Sequence, residues 1–183
     1  FGITGPVLRA SGVNYDIRKV RPYLGYETYK FEVPMEKEGD CYARFRVRTN
    51  EMYQSLKIVD QALQRLKPGP VNVSDPRIVI PLKNEENKPS GGMEGLIYHF
   101  KNVMHGHGVR PPKGEVYVPT EAPNGELGYY LVSDGTERPY RWRVRGPSFY
   151  NYQSFSRQCE GAMLSDTVAV LATLNIIAGE LDR

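Results

Sequence analysis

Apolar residues spaced four and three apart mark a long amphipathic helix in the first half of the chain. Polar residues 36–40 precede it, and Pro68-Gly69-Pro70 would end it. The residues of this apolar stripe are Met52, Leu56, Val59, Leu63 and Leu66. A coiled-coil seam is an alternative, but amphipathic helices usually pack within their own protein. We therefore expect the stripe to belong to a core.

Later parts of the chain predict a second helix and three strands. Residues 93–104 carry an apolar face at helical spacing, formed by Met93, Leu96, Ile97, Phe100 and Met104. Gly106 and Gly108 would end that helix. Short runs rich in β-branched and aromatic residues then occupy 116–118, 127–132 and 140–144, and Asn124-Gly125 and Asp134-Gly135 mark the turns. These runs predict a small antiparallel meander.

The remaining segments complete a four-part organisation. Residues 1–39 are rich in Gly, Pro and Tyr without helical period, and 71–92 have the composition of an exposed connection. An apolar helix follows Ser165-Asp166, a candidate N-cap. We therefore predict an α+β fold of long helices packed with a small antiparallel β-meander. Its parts are an irregular segment 1–39, a helical hairpin 40–112, a meander 113–149, and a terminal helix and tail 150–183.

Composition excludes several classes of function. The formal net charge is +3, from 24 basic and 21 acidic residues spread along the chain, so nothing supports nucleic-acid binding. Cys41 and Cys159 form no CxxC pair, which indicates a reducing compartment without a cysteine-ligated metal. The longest apolar run, 168–172, is far shorter than the ~20 residues of a membrane-spanning helix. The start at Phe1 indicates a chain entered partway.

The residues alone predict no self-contained active site. His105 and His107 lie two apart and His99 is nearby, but zinc and iron sites need three or four converging ligands, so histidines on the surface or in loops are favoured over a metal site. Neither a phosphate-binding loop nor a nucleophile elbow is present. We expect Glu180, in the tail, to be buried. The chain also has 13 tyrosines, and tyrosine, which combines a ring with a hydroxyl, is typical of surfaces that bind a partner or an amphipathic ligand.

Longer motifs carry a resemblance that covers essentially the whole chain. They are Glu121-Ala-Pro-Asn-Gly-Glu-Leu-Gly-Tyr-Tyr-Leu-Val-Ser-Asp-Gly-Thr136, Pro139-Tyr-Arg, Val144-Arg-Gly-Pro-Ser-Phe149, Gly5-Pro-Val-Leu-Arg-Ala-Ser-Gly12, Tyr15-Asp-Ile-Arg-Lys19, Gly39-Asp-Cys-Tyr42, Arg48 and Glu51-Met52. The chain resembles the C-terminal part of the D-type subunit of respiratory NADH:quinone oxidoreductase (complex I). The resemblance implies the corresponding part of the fold of nickel–iron hydrogenase large subunits.

This ancestry implies a pocket that has lost its metal. Hydrogenases bind the metal through thiolates of a Cys-x-x-Cys pair, which aligns with Ile177 and Glu180, and they carry an arginine where this chain has Asn124. In complex I, the resemblance implies, the vacated space forms part of the chamber where quinone is reduced. Asn175, Ile177 and Glu180 are then candidate quinone-binding residues. Asn175 stands where the family usually has an acidic residue, so an amide takes the place of a carboxylate there.

The resemblance also implies a setting for the chain. The family's quinone-binding His and Tyr lie in an N-terminal half that this chain lacks, so we expect the isolated fragment to be inactive. Quinone is the implied substrate, and the chain is expected to bind no cofactor or metal, since NADH and iron–sulfur clusters belong to partner subunits. Implied partners are an iron–sulfur-cluster-bearing neighbour, the C-type peripheral subunit and a membrane-arm subunit at the quinone entrance.

The implied location is peripheral, at the cytoplasmic face of a bacterial plasma membrane or the matrix face of a mitochondrial inner membrane. Two other functions remain open. One is a scaffold that assists assembly of the same complex. The other is the large subunit of an energy-converting hydrogenase, against which the residues at 177 and 180 argue because neither is a cysteine.

Overall fold

A computed structural model describes residues 1–71, 92–104, 108 and 110–182 of the 183-residue chain. The helices are α1 (Pro6–Arg9), α2 (Ile17–Val20), α3 (Cys41–Arg65), α4 (Gly92–Val103), α5 (Pro147–Gln153), α6 (Phe155–Cys159) and α7 (Asp166–Leu174), with 3-10 helices at Tyr26–Thr28 and Ala178–Glu180. The strands are β1 (Gly114–Ala122), β2 (Gly125–Ser133) and β3 (Arg141–Arg145), in the order β1-β2-β3. The predicted α+β class and its three-stranded antiparallel sheet are confirmed.

The chain forms two compact units. The first comprises Phe1–Leu66, Tyr117–Tyr130 and Arg143–Arg183, and the second comprises Lys67–Val116 and Leu131–Trp142. The first unit contains every helix listed above except α4. The four-part division predicted from the sequence stays a prediction.

The long helix α3 forms where its pattern predicts. The Asp40 side chain accepts a hydrogen bond from the backbone N–H of Ala43 at 2.7 Å, which satisfies one of the free donors at the helix start. The helix ends at Arg65, three residues before Pro68. Its buried residues, Ala43, Arg44 and Val47, all lie in its first two turns.

The core of the first unit is built around the start of α3 and the short helices. Val7, Val170 and Leu174 form one buried cluster, against which Cys41 and Cys159, both free thiols, also pack. A second cluster joins α1 to α3 through Ala10, Ala43 and Val47. Helix α7 is thereby fixed against α1 and α3.

The expected burial of the α3 stripe is wrong for this chain. Its five residues, Met52, Leu56, Val59, Leu63 and Leu66, are between 53% and 75% exposed. Helical periodicity identifies which side of a helix is apolar but does not identify what covers that side. Only the first turns of α3 contact the core clusters.

The sheet forms at the predicted turns. A Cβ on Gly5 would lie 2.5 Å from the Cα of Gly125, so two glycines let the β1–β2 turn approach the start of α1. At the β2–β3 connection, the Asp134 side chain accepts hydrogen bonds from the N–H and the hydroxyl of Thr136 at 3.0 and 2.7 Å. This side-chain turn is typical of Asp-Gly sequences.

The last predicted helix forms and begins at Asp166, where the sequence predicts its start, but the expected side-chain cap is not made. Ser165 precedes α7 without a capping hydrogen bond from its side chain. Asp166 instead accepts a hydrogen bond from the N–H of Met163 at 3.0 Å. Helices α5 and α6 lie in the preceding polar segment. Its apolar residues have no helical period, so the sequence does not predict these two helices.

In the second unit, α4 confirms the helix predicted at 93–104. The residues of its predicted apolar face are between 40% and 78% exposed; they are Met93, Leu96, Ile97, Phe100 and Met104. His99 lies on α4, whereas His105, Gly106, His107 and most of the 71–92 connection fall outside the described residues. The metal hypothesis for the histidines therefore stays untested. None of the helices described here has both the length and the apolarity to cross a membrane.

Candidate functional site

A buried arginine on α1 joins three elements of the first unit. Arg9 is 2% exposed, and its Nε and Nη2 lie 2.7 and 2.6 Å from Oε1 of Glu51 on α3. Its Nη1 donates to Oε1 of Glu121 on β1 at 2.9 Å and to the carbonyl of Tyr15 at 3.0 Å. Two buried or half-buried carboxylates therefore share one guanidinium.

A second ion pair borders this network. Asp16 is the N-cap of α2, accepting from the N–H of Arg18 at 2.9 Å, and its Oδ2 lies 2.6 Å from Nη2 of the same arginine. Glu121 joins this ion pair to the Arg9 network. Its Oε2 accepts from the N–H of Ile17 at the start of α2 at 3.2 Å, and its own N–H donates to the hydroxyl of Tyr23 at 2.9 Å. The carboxylates are therefore held in place by backbone and side chain together.

Burial dominates the titration of these acids. It raises the pKa of both Glu51 and Glu121 above their ordinary values, and the attraction of Arg9 offsets only part of that rise. Burial also lowers the pKa of Arg48, which Glu51 partly counteracts. The cluster consequently takes up protons more readily than exposed glutamates would.

A cavity of about 610 Å³ adjoins the network. Arg18, Arg48, Glu51 and Glu121 form its charged side, and its other lining residues are Met52, Ser55, Leu56, Val59, Ala122 and Pro123. Part of the apolar stripe of α3 is thus a cavity wall. A space with one charged side and one apolar side suits an amphipathic molecule or segment.

Asn124, in the β1–β2 turn, is the meeting point of three other elements. It is 2% exposed, and its Oδ1 accepts from Nδ2 of Asn175 at 2.8 Å and from Nη1 of Arg48 at 3.4 Å. Its backbone carbonyl accepts from Nδ2 of Asn151 on α5 at 2.9 Å. The turn is thereby bound to α3, to α5 and to the residue that follows α7.

The adjacent glycine makes this turn possible. Gly125 has a φ of 136°, and a Cβ there would lie 2.5 Å from Oγ1 of Thr4. That hydroxyl accepts from the N–H of Glu126 at 2.9 Å. A side chain at 125 would therefore both strain the backbone and displace Thr4.

The tail after α7 is held at two points. Asn175 ends the helix in the left-handed conformation, with a φ of 55°, and its N–H donates to carbonyls of the last turn. The second point of attachment is Ser148 on α5, which is fully buried and bonds to the tail at positions 177 and 180. Its hydroxyl accepts from the N–H of Ile177 at 3.3 Å, and its own N–H donates to Oε2 of Glu180 at 2.9 Å.

The three residues predicted to bind quinone therefore belong to one short, anchored segment. Asn175 reaches Asn124, while Ile177 and Glu180 both bond to Ser148. Asn175 and Ile177 are exposed, the latter by 50%. Glu180, which the sequence led us to expect to be buried, is half-buried. Their role toward quinone stays a prediction.

Sequence reasoning missed the residues that build the rest of the site. Glu51 and Glu121 lie 42 and 112 positions from Arg9 along the chain, so no local spacing connects them. Ser148 and Arg48 likewise act on elements distant in sequence. The available signal was that all five fall within the family-like motifs.

Comparison with known proteins identifies the family. The family model of the respiratory-chain NADH dehydrogenase 49 kDa subunit matches residues 1–183. The chain is 53% identical to the D subunit of the NADH-quinone oxidoreductase of Trichlorobacter lovleyi and to subunit 4 of the Thermus thermophilus enzyme. It is 52% identical to the D subunit of the Geotalea uraniireducens enzyme. Each alignment covers all of this chain and 45%, 43% and 46% of the relative.

The chain thus spans a little under half the length of the curated relatives it matches. The match extends over both compact units and includes the buried ion network, the Asn124 turn and the anchored tail. The chain belongs to the family of respiratory-chain NADH dehydrogenase 49 kDa subunits, which includes the D subunits of NADH-quinone oxidoreductases.

Proposed function

We propose that this chain is the C-terminal portion of a complex I D-type subunit and forms part of the wall of its quinone-reduction chamber. The observation that carries the proposal is the 2.8 Å hydrogen bond from Asn175 to Asn124, which keeps the tail beside the β1–β2 turn. These are the two regions where the family's hydrogenase ancestry predicts the vacated metal pocket. The relatives are named as D subunits of NADH-quinone oxidoreductases, which supports quinone as the substrate.

The chemistry of the tail suits a quinone headgroup. Reduction adds two electrons and two protons, so negative charge develops on the ring oxygens. Ile177 supplies an apolar surface, Asn175 an amide, and Glu180 a carboxylate whose Oε2 is already fixed by the N–H of Ser148. Groups held in place before the reaction can orient a substrate without a further loss of their own conformational freedom.

The wider assembly follows from the same proposal. The hydrogenase-like fold would be completed by the rest of the subunit, and electrons would arrive from NADH through iron–sulfur clusters on other subunits. The terminal cluster would lie on a neighbouring subunit, close to the chamber. The C-type subunit and a membrane-arm subunit would be the other contacts, and this subunit would be peripheral to the membrane.

Replacing Ile177 with Met in the full-length subunit of the membrane-bound complex tests the lining role. Met is longer and more flexible at similar volume, so it changes the chamber wall while preserving burial in the assembly. We expect a KM for quinone and an affinity for quinone-site inhibitors changed by about tenfold, the lower end of the effect of one methylene-sized contact in an apolar pocket. Electron transfer from NADH to a water-soluble artificial acceptor should be unchanged.

Ile97→Met is the matched control, because Ile97 is also 50% exposed but lies on α4 in the other unit. It should leave quinone kinetics and inhibitor affinity unchanged. If Ile177→Met assembles normally and gives wild-type kinetics and inhibition, Ile177 does not line the chamber.

A scaffold role is the second candidate, favoured by the 50% exposure of Ile177, since an exposed apolar side chain also suits packing against a neighbouring subunit. The same variant separates the two functions. A scaffold role predicts a smaller amount of assembled complex with normal quinone kinetics in the fraction that assembles. The lining role predicts a normal amount of assembled complex with altered quinone kinetics.

A further inference from the structure

Arg48 connects the end of α7 to the turn that holds Asn124. Its Nη2 donates to the carbonyls of Leu174 and Thr173 at 3.2 and 3.4 Å. Its Nη1 donates to Oδ1 of Asn124 at 3.4 Å and to the carbonyl of Pro123 at 3.5 Å. One planar side chain therefore bridges two elements that, within the described residues, no backbone hydrogen bond joins.

The surroundings of Arg48 differ from those of the neighbouring Arg9. Arg9 is paired with two carboxylates, whereas no carboxylate oxygen of the described residues lies within 4 Å of the Arg48 nitrogens. Its Nε is buried and has no hydrogen-bond partner in the described part of the chain. The charge of Arg48 is therefore directed at neutral oxygens, two of them at the end of a helix, where the backbone dipole favours a cation.

The tail begins one residue after these carbonyls. Helix α7 has only nine residues and ends at Leu174, and Asn175 then turns the chain through its left-handed conformation. The path of the tail depends on where the last turn of α7 is held. Asn124 fixes Asn175 from one side, and Arg48 fixes both Asn124 and the preceding carbonyls from the other.

We propose that Arg48 is a positioning residue for quinone reduction: it holds the end of α7 and the Asn124 turn in the register that puts the tail 175–180 in the chamber wall. This rests on the proposed function. Arg48 acts through the tail and through Asn124 and does not itself need to contact the quinone. A lysine could replace its charge but could not reach both elements with a single ammonium group.

The test compares Arg48→Met and Arg48→Lys in the full-length subunit of the membrane-bound complex. Arg48→Met should lower kcat/KM for quinone by about tenfold or more, with a raised KM, because small displacements of the groups that orient a substrate weaken its binding and slow its reaction, while transfer from NADH to a water-soluble acceptor is retained. Arg48→Lys should give an intermediate KM. The matched control is Arg46→Met, two residues away on the same helix and 49% exposed, which should match the wild type.

The outcomes separate positioning from stability and from the proposed function. If Arg48→Met assembles and its quinone KM equals that of Arg46→Met, the positioning role is overturned. If Arg48→Met fails to assemble, Arg48→Lys decides: a raised quinone KM supports positioning, and a wild-type KM shows that Arg48 serves stability alone. Ile177→Met, measured in parallel, tests the lining role separately. If Ile177→Met has wild-type quinone kinetics while Arg48→Met has a raised KM, Ile177 does not line the chamber, but the positioning role of Arg48 still holds.

Discussion

Removing the guanidinium of Arg9 should destabilise the first unit by an amount that depends strongly on pH. Arg9→Met keeps the apolar length of the side chain but leaves Glu51 and Glu121 without the cation that lies 2.6 to 2.9 Å from them. Asp16 keeps its own partner, Arg18, at 2.6 Å. The cost therefore falls mainly on two carboxyl groups.

Protonation sets an upper bound on that cost. Keeping one glutamate of ordinary pKa, 4.5, protonated costs about 1.4 kcal/mol for each pH unit above that value, so keeping both protonated costs about 7 kcal/mol at pH 7 and about 1 kcal/mol at pH 5. Removing one partner of a buried ion pair typically costs about 3–5 kcal/mol. We therefore expect a loss of about 3–5 kcal/mol at pH 7 that shrinks by about 2 kcal/mol or more at pH 5.

Urea unfolding of the full-length subunit, followed by circular dichroism at both pH values, measures this difference. Arg46→Met removes an ion pair in which the arginine is 49% exposed, so it should cost under about 1 kcal/mol at either pH. Adding Glu121→Gln to Arg9→Met should recover part of the loss at pH 7. Equal losses at pH 5 and pH 7 would refute the reasoning, since they would mean that uncompensated charge is not the cause.

Two further predictions concern the turn and the buried acids. Gly125→Ala should cost about 2–3 kcal/mol in the free energy of unfolding, because the residue has a φ of 136° and the new Cβ would lie 2.5 Å from Thr4, whereas Gly69→Ala, with open space around it, should change it by under about 0.5 kcal/mol. Similar losses in the two variants would contradict the close approach. Because burial raises the pKa of Glu51 and Glu121, the native state keeps protons that the unfolded chain has released, so these groups make stability fall as pH rises from 4.5 through their raised values. Replacing both with Gln should flatten that slope in unfolding measurements across pH, and an unchanged slope would count against the raised values.

The elements with a clear sequence period were the ones that could be predicted. Helix α3 has a stripe, a polar start and a proline stop, and the three strands alternate with Asn-Gly and Asp-Gly turns, so local rules suffice. Helices α5 and α6 have no such period. They are specified by what surrounds them, as when the fully buried Ser148 bonds to the tail.

The site was predictable only in part, for a different reason. Motifs supplied Asn124 and the tail residues, but Arg9 and Glu51 meet across 42 positions, and no property of either residue alone selects the other. Burial of the α3 stripe failed as a prediction because a single chain's pattern does not show what lies opposite it. Long-range pairing is decided by packing, which local sequence does not encode.

The left-handed backbone at position 175 narrows which amino acids this tail can acquire. Among L-residues, asparagine and aspartate adopt that conformation more readily than most others, and glycine adopts it freely. Exchange between an amide and an acid at this point therefore leaves the chain path intact. An aspartate in place of Asn175, however, would turn a carboxylate oxygen toward Oδ1 of Asn124, so the Asn124 amide would have to rotate and offer its NH₂ group instead. That rotation would remove the oxygen that Arg48 now contacts. A change from Asn to Asp at position 175 would therefore also change the hydrogen bonding between Asn124 and Arg48.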